Sequence, residues 1–295
     1  MQEFKNYHPV TNFIFFISVI GFSMFILEPV CLGISLASGI LYSGVLGGAK
    51  KLKVSMIYMI PMIILTMLLN PLFNHQGDTI LGYFPWGNPF TKESVLYGIC
   101  AGAMLAGVTC WFSCLNEIMT SDKLMYLFGR IMPSLSLIFS MTLRFVPHFF
   151  SHLKEVKAVQ KTMGKDISNG NFLNRIKNGL KILSVMITWA LENSIETADS
   201  MKARGYGLKG RTAFSNFKFH KQDLKILILL LIFDTYILCG KFIGELYFEC
   251  FPKIIIADFS IFKISIYIVY SMICLMPVII ECWEGYRWKL LKSKI

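Results

Sequence analysis

Charged residues are scarce in this sequence. Only 16% of its 295 residues are Asp, Glu, Lys or Arg, against roughly 25% in soluble domains, whereas 55% are hydrophobic. This balance excludes an ordinary soluble globular protein and predicts an integral membrane protein. The net charge of +11 is compatible with nucleic-acid binding, but the basic residues lie between and after apolar runs, as in the cytoplasmic loops of membrane proteins. We therefore expect contact with membrane lipid and no nucleic-acid partner.

Motifs for catalysis or for a bound cofactor are also lacking. The sequence has no GxxxxGK[ST] phosphate-binding loop and no CxxC pair, and its eight cysteines do not combine with histidine at zinc-site spacing. His148 and His152 lie one helical turn apart with Glu155 nearby, but this order does not match the HExxH metalloprotease motif. We therefore expect no catalytic residues, no metal and no cofactor in this chain.

Asp234 lies in the middle of the apolar run "ILILLLIFDTYILCG", where an unpaired carboxylate is costly. It is predicted to serve either a hydrogen bond between packed helices or a proton relay. An intramembrane enzyme is therefore an alternative function. Such an enzyme would need a convergent Ser/His, Asp/Asp or His/Glu set at membrane depth, and Asp234 alone does not supply one.

Six apolar runs have about the length that a membrane-spanning helix requires. The runs are residues 11–27, 30–49, 54–69, 94–115, 224–244 and 261–282. The first four runs form a predicted N-terminal membrane domain (1–115). The last two runs and the basic tail form a predicted C-terminal membrane domain (223–295). Residues 116–222 hold no obvious span and are predicted to form a cytoplasmic or interfacial domain. The sequence thus predicts an all-α integral membrane protein with about six transmembrane helices.

The distribution of Lys and Arg predicts the orientation of the chain in the membrane. Lys50, Lys51 and Lys53 follow the second run, and residues 151–221 contain thirteen basic and five acidic residues. Residues 74–92 carry only one basic residue, at position 92. Because basic segments stay in the cytoplasm, we expect 74–92 outside and the insert and both termini inside.

Two stretches of the insert are similar to each other. "EVKAVQKTMG" ends at Gly164 and "ETADSMKARG" ends at Gly205, and each closes an amphipathic pattern with apolar residues three or four positions apart. Glycine is a common helix stop, and basic residues are favourable in the last turn of a helix. The pattern predicts two long amphipathic helices, each ending in a basic tip. Ordinary helix capping is the alternative explanation of each tip alone.

The stretch "MKARGYGLKGRT" resembles the Ala-Arg-Gly signature of the transmembrane T component of energy-coupling factor (ECF) transporters, the family that includes the cobalt-transport membrane subunit. The pieces "YHPVTNFIFF", "NPLF", "GNPFTKE" and "LFGRIMPSLSLIFSMTLRFVP" agree with that family in order, so the resemblance covers nearly the whole chain. It implies a scaffold in the cell membrane that links two ABC-type ATPase subunits to a small membrane-embedded S component. The S component captures a vitamin or a transition-metal ion, and the ATPases bind ATP. The alternative is a polytopic membrane protein without ATPase partners.

The resemblance also implies which residues bind the ATPases. They are Lys161, Thr162, Met163 and Gly164 in the first tip and Lys202, Ala203, Arg204 and Gly205 in the second. The second tip matches the family motif directly, whereas Met163 stands where the first motif usually has arginine. The first contact is therefore weakened, shifted to a neighbouring lysine, or matched by an altered groove on the ATPase.

A stripe of small residues on the fourth run comprises Gly98, Gly102 and Ala106. Such a stripe predicts close helix packing. Packing within the chain is the first interpretation, and docking of the S component is the alternative.

Overall fold

A computed structural model describes residues 4–83, 89–164, 171–206, 217–256 and 260–292, and this part of the chain is mainly helical. The helices are α1 (Pro9–Phe25), α2 (Pro29–Phe73), α3 (Lys92–Ile118), α4 (Ser121–Ile131), α5 (Pro133–Thr162), α6 (Phe172–Ala203), α7 (Lys221–Ile243) and α8 (Ile261–Lys292). Two short antiparallel hairpins pair β1 (Ile80–Tyr83) with β2 (Pro89–Thr91) and β3 (Phe248–Glu249) with β4 (Ile255–Ile256). The chain divides into two compact units, a first of residues 1–124 with 217–295 and a second of residues 125–216.

Four of the described helices, α2, α3, α7 and α8, are long and apolar enough to cross a membrane, and α1 is a shorter apolar helix. All belong to the first unit. The prediction of an all-α integral membrane protein is confirmed. The expected count of about six spans stays a prediction, although α1 covers most of the first predicted run and α2 covers the second and the third.

Gly48 reverses the direction of the chain inside α2. Its φ of 65° and ψ of −168° are not helical, and glycine is the residue that adopts this combination readily. The hydroxyl oxygens of Ser43 and Ser55 lie 3.4 Å apart, although twelve residues of straight helix would span about 18 Å. The two halves of α2 therefore form an antiparallel helical hairpin.

The core of the first unit is built around Trp111 of α3, which is fully buried. Its ring centroid lies 5.9 Å from that of Phe15 in α1 and 6.2 Å from that of Tyr42 in α2. Its indole N–H donates to the carbonyl and the hydroxyl oxygen of Ser35 at 3.2 and 3.1 Å. Because its polar edge is satisfied, this large ring can join three helices in an apolar setting.

A buried ion pair joins the start of α2 to the start of α8. The Lys263 ammonium lies 3.0 Å from the Glu28 carboxylate, and both side chains are at most 1% exposed. The same carboxylate accepts hydrogen bonds from the Tyr267 hydroxyl and the Cys31 thiol. Buried charges are tolerated when they are paired and hydrogen bonded, so this cluster fixes α8 against the α1–α2 junction.

The segment predicted as an outer loop contains the first β-hairpin, and the second hairpin follows α7. The two hairpins are joined by a hydrogen bond of 3.2 Å from the Asp78 amide to the Pro252 carbonyl. An ion pair of 3.4 Å between Lys253 and Asp78 adds to this link. The described parts of this segment thus form a paired hairpin that is linked to the second hairpin.

The second unit contains α5, α6 and most of α4, and its bounds lie close to those of the predicted insert. The short apolar run at residues 135–146 is the first half of α5, which continues without a break through Pro147.

Candidate functional site

The second predicted tip lies at the C-terminal end of α6, where Arg204 caps the helix and Gly205 has a φ of 75°. The Gly205 amide donates to the Lys202 carbonyl at 3.0 Å, and the Tyr206 amide donates to the Met201 carbonyl at 3.1 Å. These two hydrogen bonds form a Schellman motif. The motif favours glycine here because a Cβ is unfavourable at this positive φ.

The first predicted tip has the same backbone arrangement at the end of α5. Met163 caps the helix, Gly164 has a φ of 71°, and the Gly164 amide donates to the Lys161 carbonyl at 3.1 Å. The cap angles are φ −82° and ψ 9° at Met163, against φ −84° and ψ 5° at Arg204. The structure therefore places Met163 and Arg204 at equivalent positions of two helix ends of the same kind.

The side chains of the two tips are exposed and differ in chemistry. Arg204 and Lys202 are exposed, and Met163 is 65% exposed. Within the described part of the chain, Arg204 forms no ion pair. Its guanidinium can therefore make charge-assisted, bidentate hydrogen bonds to a partner, whereas the Met163 thioether offers apolar contact only.

The remaining tip residues occupy matching places in the last helical turns. Thr162 and Ala203 are both exposed, and Lys161, like Lys202, is exposed beside its cap. The Thr162 hydroxyl donates to the Val159 carbonyl at 2.7 Å, which leaves it turned back along α5. The unpaired carbonyls at each helix end add partial negative charge, which favours basic residues at these places.

Trp189 holds α5 and α6 together where the two helices cross. Its ring stacks on His152 with centroids 4.2 Å apart and on His148 with centroids 5.4 Å apart, while Phe145 and Phe149 complete the cluster. His152 also lies 3.4 Å from Glu155. In the described residues no group of three or more His, Cys, Asp or Glu could hold a metal ion. The two histidines thus take part in helix packing.

Each tip lies several helical turns beyond the aromatic cluster on its own helix. Met163 lies eleven positions after His152, which corresponds to about 16 Å of helix. Arg204 lies fifteen positions after Trp189, which corresponds to about 22 Å of helix. Each tip therefore lies at the end of its own stem. Two separate partner subunits could each reach one tip.

An apolar groove of about 660 Å³ lies between α5 and α6. Its walls are mostly aromatic and aliphatic, with a few hydroxyl groups from Thr142, Ser194 and Thr197. The apolar residues that line it are Met141, Phe145, Val146, Phe149, Phe150, Ala190, Ala198 and Met201. The groove therefore offers apolar surface beside the second stem.

The other predicted residues lie in the first unit, apart from the tips. The Asp234 carboxylate accepts a hydrogen bond of 2.6 Å from the Ser18 hydroxyl, which joins α7 to α1. On α3, a Cβ at Gly98 would meet the Thr66 carbonyl oxygen at 2.9 Å, and a Cβ at Gly102 would meet the Ile63 Cα at 2.9 Å. Ala106 is fully buried in the same packing. The stripe thus packs against α2 in this conformation.

Sequence reasoning missed the Trp189 cluster and the groove. The signal that could have found them is the aromatic spacing on α5, where Phe145, His148, Phe149 and His152 repeat every three or four residues. The partner ring on α6 could not be identified in the same way, because Trp189 has no aromatic neighbour three or four positions away on that helix.

Comparison with known proteins assigns the chain to a family. Residues 4–214 match the family model CbiQ, described as cobalt transport protein. Energy-coupling factor transporter transmembrane proteins (EcfT) are among the similar proteins. That of Bacillus selenitireducens is 25% identical over 197 residues, which cover 62% of this chain and 71% of the relative. That of Listeria monocytogenes is 28% identical over 178 residues, which cover 55% of this chain and 65% of the relative. That of Lactobacillus helveticus is 34% identical over 110 residues, which cover 35% of this chain and 40% of the relative.

The described chain has the apolar helices of a multi-pass membrane protein and two exposed helix tips. The proteins that it resembles are membrane components of transporters and not catalytic subunits. The chain belongs to the CbiQ cobalt transport protein family and is a transmembrane T component of the ECF type. The family match includes α5, α6 and both tips.

Proposed function

We propose that this chain couples two ABC-type ATPase subunits to a membrane-embedded S component, for uptake of a vitamin or a transition-metal ion. The observation that carries the proposal is the pair of helix ends with equivalent cap geometry, one of which presents Arg204 without an ion-pair partner in the described chain. Two equivalent protrusions suit two ATPase subunits, because each subunit of an ATPase dimer can receive one tip.

In this proposal, Arg204 is the main anchor of the ATPases. A groove on an ATPase that contains carboxylates would bind the guanidinium through several charge-assisted hydrogen bonds. Gly205 turns the chain directly after the cap, so the arginine projects from the end of the helix. Arginine is also enriched among residues that dominate binding energy at interfaces.

The stems would transmit movement of the ATPases to the membrane. Packed helices tend to move as rigid bodies, and the stacking of Trp189 on His148 and His152 fastens α6 to α5 at their crossing. A displacement of one tip would therefore move both stems together. This gives ATP binding and hydrolysis in the partner subunits a mechanical route through the chain.

We place the S component against the apolar groove between α5 and α6. A membrane-embedded partner has apolar helices, and the groove combines an apolar lining with a size of about 660 Å³. The substrate would be bound by the S component and ATP by the ATPases, so the chain itself would need no cofactor. In the proposed topology it lies in the cell membrane with both termini in the cytoplasm.

The experiment is affinity purification of the tagged chain from membranes, with identification of the subunits that co-purify and of any small molecule or metal ion bound to them. Co-purification of ATPases and one small membrane protein is the expected result. An isolated chain without ATPases, particularly one with catalytic turnover of its own, would contradict the proposal and favour an intramembrane enzyme.

A further inference from the structure

The first half of α6 carries a row of exposed apolar side chains. Leu173, Ile176, Leu180, Leu183 and Ile187 are 77, 44, 60, 51 and 51% exposed. At 3.6 residues per turn, these positions lie within about a third of the helix circumference. We call this row the outer stripe.

The outer stripe does not face α5. The residues of this half that are buried are Ile182 and Met186, which are 4 and 1% exposed. They lie on the side that also carries Trp189, the residue that packs on α5. The described packing of α6 on α5 therefore does not use the outer stripe.

The charged residues in this half of α6 are all basic. Between Asp166 and Glu192 the sequence has no acidic residue, and it has three basic ones, Arg175, Lys177 and Lys181. Lys177 and Lys181 are exposed and lie along one edge of the stripe. Acidic residues return only in the second half of the helix. An apolar stripe edged by basic residues is the pattern of helices that lie in a membrane interface.

From this we propose that the first half of α6 binds the cytoplasmic leaflet through anionic lipid headgroups. The apolar side chains would enter the boundary of the acyl region, and the lysines would reach the phosphate groups above it. The bilayer is always close, because the same chain contains the membrane-spanning helices, so even a weak lipid contact would be populated. The contact would hold the base of the second stem at the membrane while its tip engages the ATPase.

The lipid contact is independent of ATPase binding, because it involves the end of α6 opposite to Arg204. Each cation at an anionic membrane surface changes the attachment equilibrium about fivefold. Reversal of both Lys177 and Lys181 should therefore weaken attachment by more than about twentyfold. The tip should continue to bind ATPases in such a variant.

The test uses the full chain in lipid nanodiscs and an environment-sensitive fluorophore on a single cysteine. The exposed Cys239 and Cys282 are replaced by serine, which leaves only buried native thiols in the described chain. The fluorophore is placed by Leu180→Cys on the outer stripe or, as the matched control, by Val185→Cys. Val185 is 40% exposed on a different side of the same helical turns. Lipids with a nitroxide quencher near the headgroup report contact with the bilayer.

With about 30% phosphatidylglycerol in the disc, we expect strong quenching at position 180 and weak quenching at position 185. Pure phosphatidylcholine discs or the K177E/K181E variant should abolish the difference, and K177R/K181R should preserve it. Equal quenching at both positions, or quenching at 180 that ignores lipid charge, would overturn the proposal. The proposal would also be overturned if the fluorophore at position 180 became buried only after an S component or a second copy of the chain was added. That result would indicate that the outer stripe binds a protein and not lipid.

Discussion

Replacement of Met163 by arginine tests whether the two helix tips are equivalent binding sites. The backbone at Met163 already has the cap angles found at Arg204, and the side chain is 65% exposed, so arginine fits without rearrangement. A hydrogen bond to a charged group contributes about 1.5–3 kcal/mol, and ordering of a long side chain costs up to about 2 kcal/mol. With the full ordering cost subtracted, at most about 1 kcal/mol remains, so we expect Met163→Arg to tighten ATPase binding by up to about fivefold.

The assay is titration of the purified ATPase pair onto the chain in nanodiscs, with Kd measured for the wild type and for the variant. Met163→Leu is the matched control, because it keeps the apolar character and should leave Kd nearly unchanged. Weaker binding of the arginine variant would mean that the groove is adapted to an apolar tip. No change would refute the reasoning, because position 163 would then lie outside the interface.

Three further experiments test the packing of the first unit and the orientation of the chain. Gly102→Leu should destabilise the chain by several kcal/mol, because even a Cβ there would lie 2.9 Å from the backbone of α2. Thermal unfolding in detergent measures this effect. An unchanged Tm would contradict the packing of α3 on α2. Lys263→Met should lower the free energy of unfolding by about 3–5 kcal/mol, because it leaves the buried Glu28 carboxylate without its ion-pair partner. The double variant with Glu28→Gln should recover part of this loss in the same assay. In a background without reactive cysteines, an impermeant thiol reagent should label Gln76→Cys in intact cells and should not label Ser168→Cys, a position outside the described residues; the reverse pattern would overturn the topology.

Features that depend on neighbouring residues were predictable from the sequence. The helix stops at Gly164 and Gly205 follow from local chemistry, since glycine alone adopts positive φ at little cost, and both residues have it. The equivalence of Met163 and Arg204 followed from an alignment of two short stretches. The break between the second and third apolar runs was also visible, because three lysines follow Gly48 within five residues.

Features that depend on distant residues were not predictable. Glu28 marked only the end of an apolar run in the sequence, yet its partner Lys263 comes from the last helix. The stacking of Trp189 on α5 likewise requires knowledge of how two helices cross. For Asp234, the sequence left a packing hydrogen bond and a proton relay open, and the contact with Ser18 provides the first of these.

The role of Arg204 in binding the ATPases is the central claim of this account. Arg204→Glu replaces attraction with repulsion and leaves the acidic groups of the groove unpaired, which typically costs about 2–5 kcal/mol. This corresponds to a roughly thirtyfold to several-thousandfold loss of affinity. Membrane insertion should be unchanged, because the apolar helices are not altered.

The most direct measurement is retention of the ATPases by Arg204→Glu in a pull-down at matched expression, together with uptake of the substrate identified with the S component. Lys209→Glu, which carries the same charge change at a position outside the described residues, is the control. The account predicts a normally inserted Arg204→Glu chain that loses its ATPases and its uptake, while Lys209→Glu is much milder. An Arg204→Glu chain that retains its ATPases and supports uptake like the wild type would contradict it.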